Sequence, residues 1–199
     1  MRISAEEAAR RALILDFEGP LEGAPMIAGL NQDGYEVLAL DPRLKRAARS
    51  QYGAYYPGPL FIDRLRIHIE NGGIIAAYSQ HELNKLRDQF GLDVRGSYCD
   101  VKKVMQSFGF AHGLLIPPCL SEVEDLFGIR RRSKKPNMTA VMREVAETSS
   151  QTKWFKNYPA ALRAQWRRVV YHNRQDCKTL SVLLDLVARA DAALRVEIA

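Results

Sequence analysis

The chain has 199 residues, a length that suits one domain with a real core or one domain with a modest helical appendage, and its 47% hydrophobic and 26% charged residues argue against disorder. Twenty-nine Lys and Arg against 23 Asp and Glu leave a net charge of +6 and a pI of about 9.3, a mild bias towards a polyanionic partner. Three scattered cysteines, Cys99, Cys119 and Cys177, exclude a disulfide framework or a cysteine zinc site and read as reduced thiols of an intracellular, cytoplasmic protein. No apolar run approaches the roughly 20 residues of a bilayer span, and the segment Met1 to Arg11, with Glu6 and Glu7, is not expected to be a signal peptide.

In chain order, residues 1–11 read as a leader or frayed helical turn. Ala12 to Phe17 is an apolar strand, broken by Gly19-Pro20 and Glu22-Gly23. Met26 to Leu30 and Tyr35 to Leu40 are two more strands, joined by a turn ending in Asp33-Gly34, a strong hairpin signal. Three strands with short connections make an antiparallel meander. Asp41 to Gly58 interleaves Lys45, Arg46 and Arg49 with Tyr52, Tyr55 and Tyr56; it is either a surface loop or a contact for a nucleic-acid backbone and its bases. Leu60 to Asn71 has helical spacing and closes at Gly72-Gly73. Ile74 to Tyr78 is a continuous apolar run, as in a central buried strand.

His81 to Phe90 is a helix stopped by Gly91, Ser97 to Asp100 a short edge strand, and Val101 to Phe108 a helix ending at Gly109. Ser121 and Glu124 fit a capping box for a short helix running to Phe127-Gly128. The densest charge in the chain follows, Arg130, Arg131, Arg132, Lys134 and Lys135, in a loop over 129–137. Asn137 caps a helix from Met138 to Thr148; Pro159 starts another through Val169, and a separate long helix runs from His172 to Arg195. The order predicts an α/β fold with a mixed sheet over 12–128, helices on both faces and a helical C-terminal third over 138–199, all within a single domain.

Chemistry concentrates at two places. Asp16 and Glu18 end the first strand one residue apart, so they share a face while Phe17 points to the opposite layer. Two like charges on one face repel, and a hard divalent cation with oxygen ligands reverses that interaction. In the second place, Leu180, Leu183, Leu184 and Val187 mark the buried face of the last helix. Asp176 lies four residues before Leu180 and shares that face; an acid there must be paired, hydrated in a cleft or bound to a metal.

Leu15-Asp16-Phe17-Glu18-Gly19 together with Tyr171-His172-Asn173-Arg174-Gln175-Asp176-Cys177 resembles the DEDD-type 3′-to-5′ exonucleases of the ribonuclease-H-like superfamily, in particular the exonuclease domains of that kind in bacterial and phage proteins. The resemblance covers Ala12 to Ala188 and is specific at its two ends. It implies that Asp16, Glu18 and Asp176 are metal ligands. Its middle motif, an aspartate shortly after a central strand, falls on Ser79-Gln80-His81-Glu82; Glu82 carries the right charge with one extra methylene, and His81 stands beside it. Asp100, after the edge strand, is read as an N-cap.

The family places a tyrosine four residues, or a histidine five, before the last aspartate to orient the attacking water. Here His172 is four before and Tyr171 five before. Either can serve; His172 shares a helix face with Asp176, and a histidine's ordinary pKa of about 6.5 suits a general base. The resemblance implies two Mg²⁺ or Mn²⁺ ions held by Asp16, Glu18, Glu82 and Asp176, hydrolysis of single-stranded DNA or RNA from its 3′ end, and strand contacts from Arg130, Arg131, Arg132, Lys134 and Lys135. A non-catalytic nucleic-acid-binding module of the same fold, and an endonuclease or resolvase of that fold, are the alternatives.

Overall fold

The chain is described by a computed structural model for residues 3–129 and 136–198, the side chains of 194–198 excepted. The basic run expected to hold a nucleic-acid strand, Arg130, Arg131, Arg132, Lys134 and Lys135, lies outside the described residues.

Strand β1 (Ala12–Glu18) organises the sheet. It pairs antiparallel with β2 (Ile27–Asn31), which pairs antiparallel with β3 (Tyr35–Ala39), as the short turns require. On its other side β1 runs parallel to β5 (Ile74–Ala77), and β5 parallel to β6 (Tyr98–Asp100). A two-residue edge strand, β4 (Ala54–Tyr55), adds to β3, giving the order β4-β3-β2-β1-β5-β6. The architecture is therefore α/β around a six-stranded mixed sheet.

The two faces of β1 go to different layers. Leu13, Leu15 and Phe17 pack with Phe61 and Leu65 of α3 (Gly58–Glu70) and Leu86 of α4 (Gln80–Phe90), and Phe17, Phe61 and Phe90 form a ring cluster. Ile14 turns to the opposite face, which leaves Asp16 and Glu18 on that side too.

That second face carries two cores. Ile27, Val37 and Ala39 pack under α7 (Met138–Gln151) and the first part of α8 (Ala160–Ile198), through Leu162, Trp166, Val169 and Val170. Ile14, Ala76 and Cys99 pack under α1 (Ala5–Arg11), α5 (Val101–Ala111) and the later part of α8, through Cys177, Leu180, Leu183, Leu184 and Val187. The helix crosses the sheet between the two cores at residues 171–176, directly over the end of β1.

This corrects the reading of two helices separated near Val169. No glycine or proline occurs between Ala160 and Ile198, so nothing breaks the backbone hydrogen bonds when the apolar stripe moves from one core to the other. Asp176 therefore sits in the interior of a 39-residue helix, too far from its start for the helix dipole to explain a negative charge.

Smaller differences have local causes. The leader is helix α1, capped by Ser4 and holding Ala5 and Ala8 in the core. Asp41 to Gly58 folds into a 3₁₀ turn (Pro42–Leu44), α2 (Lys45–Arg49) and β4. Helix α5 runs through Gly109 to Ala111; a Cβ at Gly109 would meet Ile116 Cγ1 at 2.4 Å, so that glycine serves packing rather than termination. Gly91, at φ +64°, does end α4. Helix α6 (Leu120–Leu126) starts at Cys119 without a side-chain cap, and Glu124 is buried, accepting from Thr179 Oγ1 at 2.5 Å rather than closing a capping box.

Candidate metal centre

Strand β1 delivers Asp16 and Glu18 to one face, and α8 lays Asp176 against them. Ligand oxygens of the three carboxylates lie within 4.8 Å of one another. Two residues near the start of the sheet and one near the end of the chain thus meet at one point, with hard oxygen donors and Asp176 buried. That donor set fits Mg²⁺ or Mn²⁺.

The residue that joins the two elements is Asn173, one helical turn before Asp176 and fully buried. Its amide nitrogen donates to the Asp16 carboxylate at 2.6 Å and to the Asp16 main-chain carbonyl at 3.1 Å. Its Oδ1 accepts from the Tyr35 hydroxyl at 2.8 Å. All of its hydrogen-bonding capacity on that side is committed to holding β1, β3 and α8 together, with one Asp16 oxygen fixed in place. Opposite Asp16 in the register stands Gly29. A Cβ at Gly29 would lie 1.9 Å from Asn173 Oδ1 and 3.0 Å from Cys177 Sγ, so the absent side chain is what lets α8 approach the sheet.

The field at the centre is negative, as two neutral neighbours register. Burial pushes the Cys177 thiol well above its ordinary value, and the charges of Asp16, Asp176 and Glu18 push it further. Burial chiefly, then Cys177 and Asp16, also raise the Tyr35 hydroxyl far above its ordinary range. Tyr35 therefore stays a donor to Asn173 at any physiological pH.

His172 is buried, with Nδ1 3.8 Å from Asp176 Oδ1. Tyr171 faces elsewhere, into a cavity shared with Tyr35, Arg167 and Arg174. Of the two candidates for orienting water, His172 is the one set against the carboxylates.

Glu82 stands outside the 4.8 Å group. In the first turn of α4 it is buried, with Ser79 Oγ donating to Oε2 at 3.4 Å. Burial, reinforced by the charge of Asp100, raises its carboxyl to about 7. Ser79 also caps α4 through the His81 amide, and Asp100 caps α5 through the Lys103 amide, as expected. Burial, and then the charge of Lys85, lower the half-buried His81 imidazole. One turn after Glu82, the buried Lys85 ammonium donates to the carbonyls of Pro20, Leu21 and Gly23 at 3.0, 2.9 and 2.5 Å. Thr139 Oγ1 donates to Gly19 O at 2.9 Å. The loop after Glu18 is thus pinned from two helices.

A carboxyl whose folded pKa of about 7 exceeds its ordinary 4.5 favours the fold while protonated, and that contribution is lost as pH rises from 4.5 through 7. The size is on the order of 3 kcal/mol. In EDTA, Glu82→Gln should therefore melt about 5–10 °C above the wild type near pH 8.5 and close to it near pH 5. Equal melting at both pH values would show that Glu82 is ionised in the fold.

Asn173, Tyr35 and Gly29 carry no role in the sequence reading. Signals for two of them exist: Asn173 is a polar residue three before Asp176 on an apolar helix face, and Gly29 interrupts an otherwise apolar strand, a mark of close backbone approach. Compared with known proteins, the chain matches no family model, no curated protein and no solved structure.

Proposed function

We propose that the protein is a metal-dependent nuclease of the DEDD type with a ribonuclease-H-like fold, removing nucleotides from the 3′ end of single-stranded DNA or RNA. The observation that carries this reading is the convergence of Asp16, Glu18 and Asp176 within 4.8 Å. An antiparallel three-strand meander continued by parallel strands, with the acidic helix laid across the first strand, supports it. Asp16, Glu18 and Asp176 would hold the metal. When bound, divalent ions supply neutralisation of the scissile phosphate and of the charge that develops on the departing oxygen. Asn173 fixes the Asp16 carboxylate, which leaves its geometry independent of substrate. His172, buried beside Asp176, would take the proton of an attacking water in this reading.

The test is degradation of a 3′- or 5′-labelled single strand by the purified chain with Mg²⁺ or Mn²⁺. Stepwise shortening from the 3′ end is expected, and a circular single strand should persist; cleavage of the circle would assign an endonuclease of the same fold instead. The position of Glu82 outside the carboxylate group favours a second reading, a nucleic-acid-binding module without turnover. Salt-sensitive binding with no product under either ion would establish it.

A further inference from the structure

A basic, aromatic-lined surface lies beside the carboxylates, outside the metal centre itself. Two cavities of about 710 and 680 Å³ adjoin there, sharing Gln51 and Arg167 as lining residues. Besides Arg46 and Arg168, their cations are Arg49, Lys153, Lys156, Arg163, Arg167 and Arg174. Among the described residues none of these six forms an ion pair, and the buried Nε of Arg163 has no hydrogen-bond partner. Arg163, Arg167, Tyr171 and Arg174 recur at four, four and three residues along α8, which places them on one stripe about 16 Å long. Unbalanced positive charge along a helix face is a footprint for a polyanion.

The aromatics narrow the partner. Trp154 is 65% exposed, and Tyr52, at φ +58°, is fully exposed. Both line these cavities. The walls are fixed rather than incidental: Arg46 donates to the carbonyls of Ser149 and Thr152 at 2.8 and 3.0 Å, and Trp166 Nε1 donates to Ala47 O at 2.9 Å, tying α2 to α8. Free aromatic faces between cations suit unpaired bases, which have open π-faces; a duplex or an acidic peptide has none to offer. The end of the groove reaches Tyr35, which bonds Asn173, which bonds Asp16.

We propose that a single-stranded nucleic acid lies along this groove, its phosphates against Arg163, Arg167 and the neighbouring cations, its bases against Trp154 and Tyr52, and its end at the carboxylates. The direction of the strand rests on the nuclease reading; the groove itself does not. The test measures fluorescence anisotropy of a labelled oligothymidylate of about 15 nucleotides with the full chain in EDTA, where no turnover occurs. Arg163→Glu/Arg167→Glu should weaken binding at least about tenfold and flatten the log Kd against log salt slope by about 1 to 1.5. Trp154→Ala should weaken it about tenfold with the slope unchanged. Arg167 and Trp154 are exposed and Arg163 half-buried, and thermal melting checks that each variant folds. Unaltered binding by the folded variants, a duplex bound as tightly as the single strand, or displacement by poly-glutamate at equal charge would each overturn the proposal, the last in favour of an acidic protein partner. Binding that follows these expectations without degradation in Mn²⁺ upholds the groove and removes the nuclease.

Discussion

Asp16→Asn is expected to lower the rate of strand degradation in Mn²⁺ by at least about a thousandfold, equivalent to about 4 kcal/mol of transition-state stabilisation. The substitution keeps the shape of the side chain and removes one of the three charges that meet within 4.8 Å. A metal held by three carboxylates loses both a ligand and a charge, whereas the protein loses little, because the Asn173 amide can still donate to the remaining carbonyl oxygen. Thermal melting separates the two effects. Wild-type protein should gain on the order of 2.7 kcal/mol of stability at a Mn²⁺ concentration a hundredfold above its dissociation constant; the variant should melt normally in EDTA and gain almost nothing from Mn²⁺. Robust degradation by the variant would refute the assignment of Asp16.

Gly29→Ala is expected to destabilise the fold by about 3 kcal/mol, the sum of an overpacked contact and lost buried hydrogen bonds. The added carbon would stand 1.9 Å from Asn173 Oδ1. Asn173 has nowhere to retreat, since swinging away gives up its bonds to Asp16 and to Tyr35. Activity should fall about ten- to a hundredfold, the usual cost of losing the group that orients a metal ligand. Asn173→Ala alone should match the activity loss. Combined with it, Gly29→Ala should cost much less stability than by itself, because the space it needs has been vacated. Wild-type melting of the single Gly29→Ala variant would mean that α8 does not lie against β2 at this point.

Much of this arrangement is legible in the sequence, and the reasons differ by element. The first three strands follow from apolar runs cut by Gly, Pro and Asp-Gly, because local turn chemistry decides a meander. Asp16, Glu18 and Asp176 are recognisable because two periodicities, the alternation of a strand and the turn of a helix, place acids on buried faces. The single long helix is less legible: its apolar stripe shifts from Trp166 and Val169 to Leu180 and Leu184, and a shift in periodicity looks like a break when only the sequence is at hand. Asn173 and Tyr35 are illegible as a pair, since their hydrogen bond spans 138 residues and depends on a glycine in a third element. Glu82 matches a motif position, yet it stands outside the group formed by Asp16, Glu18 and Asp176, and burial in the first turn of α4 raises its carboxyl, an effect that spacing does not encode.

The central claim is that Asp16, Glu18 and Asp176 form one cation site. Crystals of the protein soaked in Mn²⁺ and measured for anomalous scattering test it most directly. The account predicts a peak coordinated by oxygens of all three carboxylates at about 2.1 Å; a peak confined to Glu82 and Asp100, or none near the end of β1 at millimolar Mn²⁺, would contradict it.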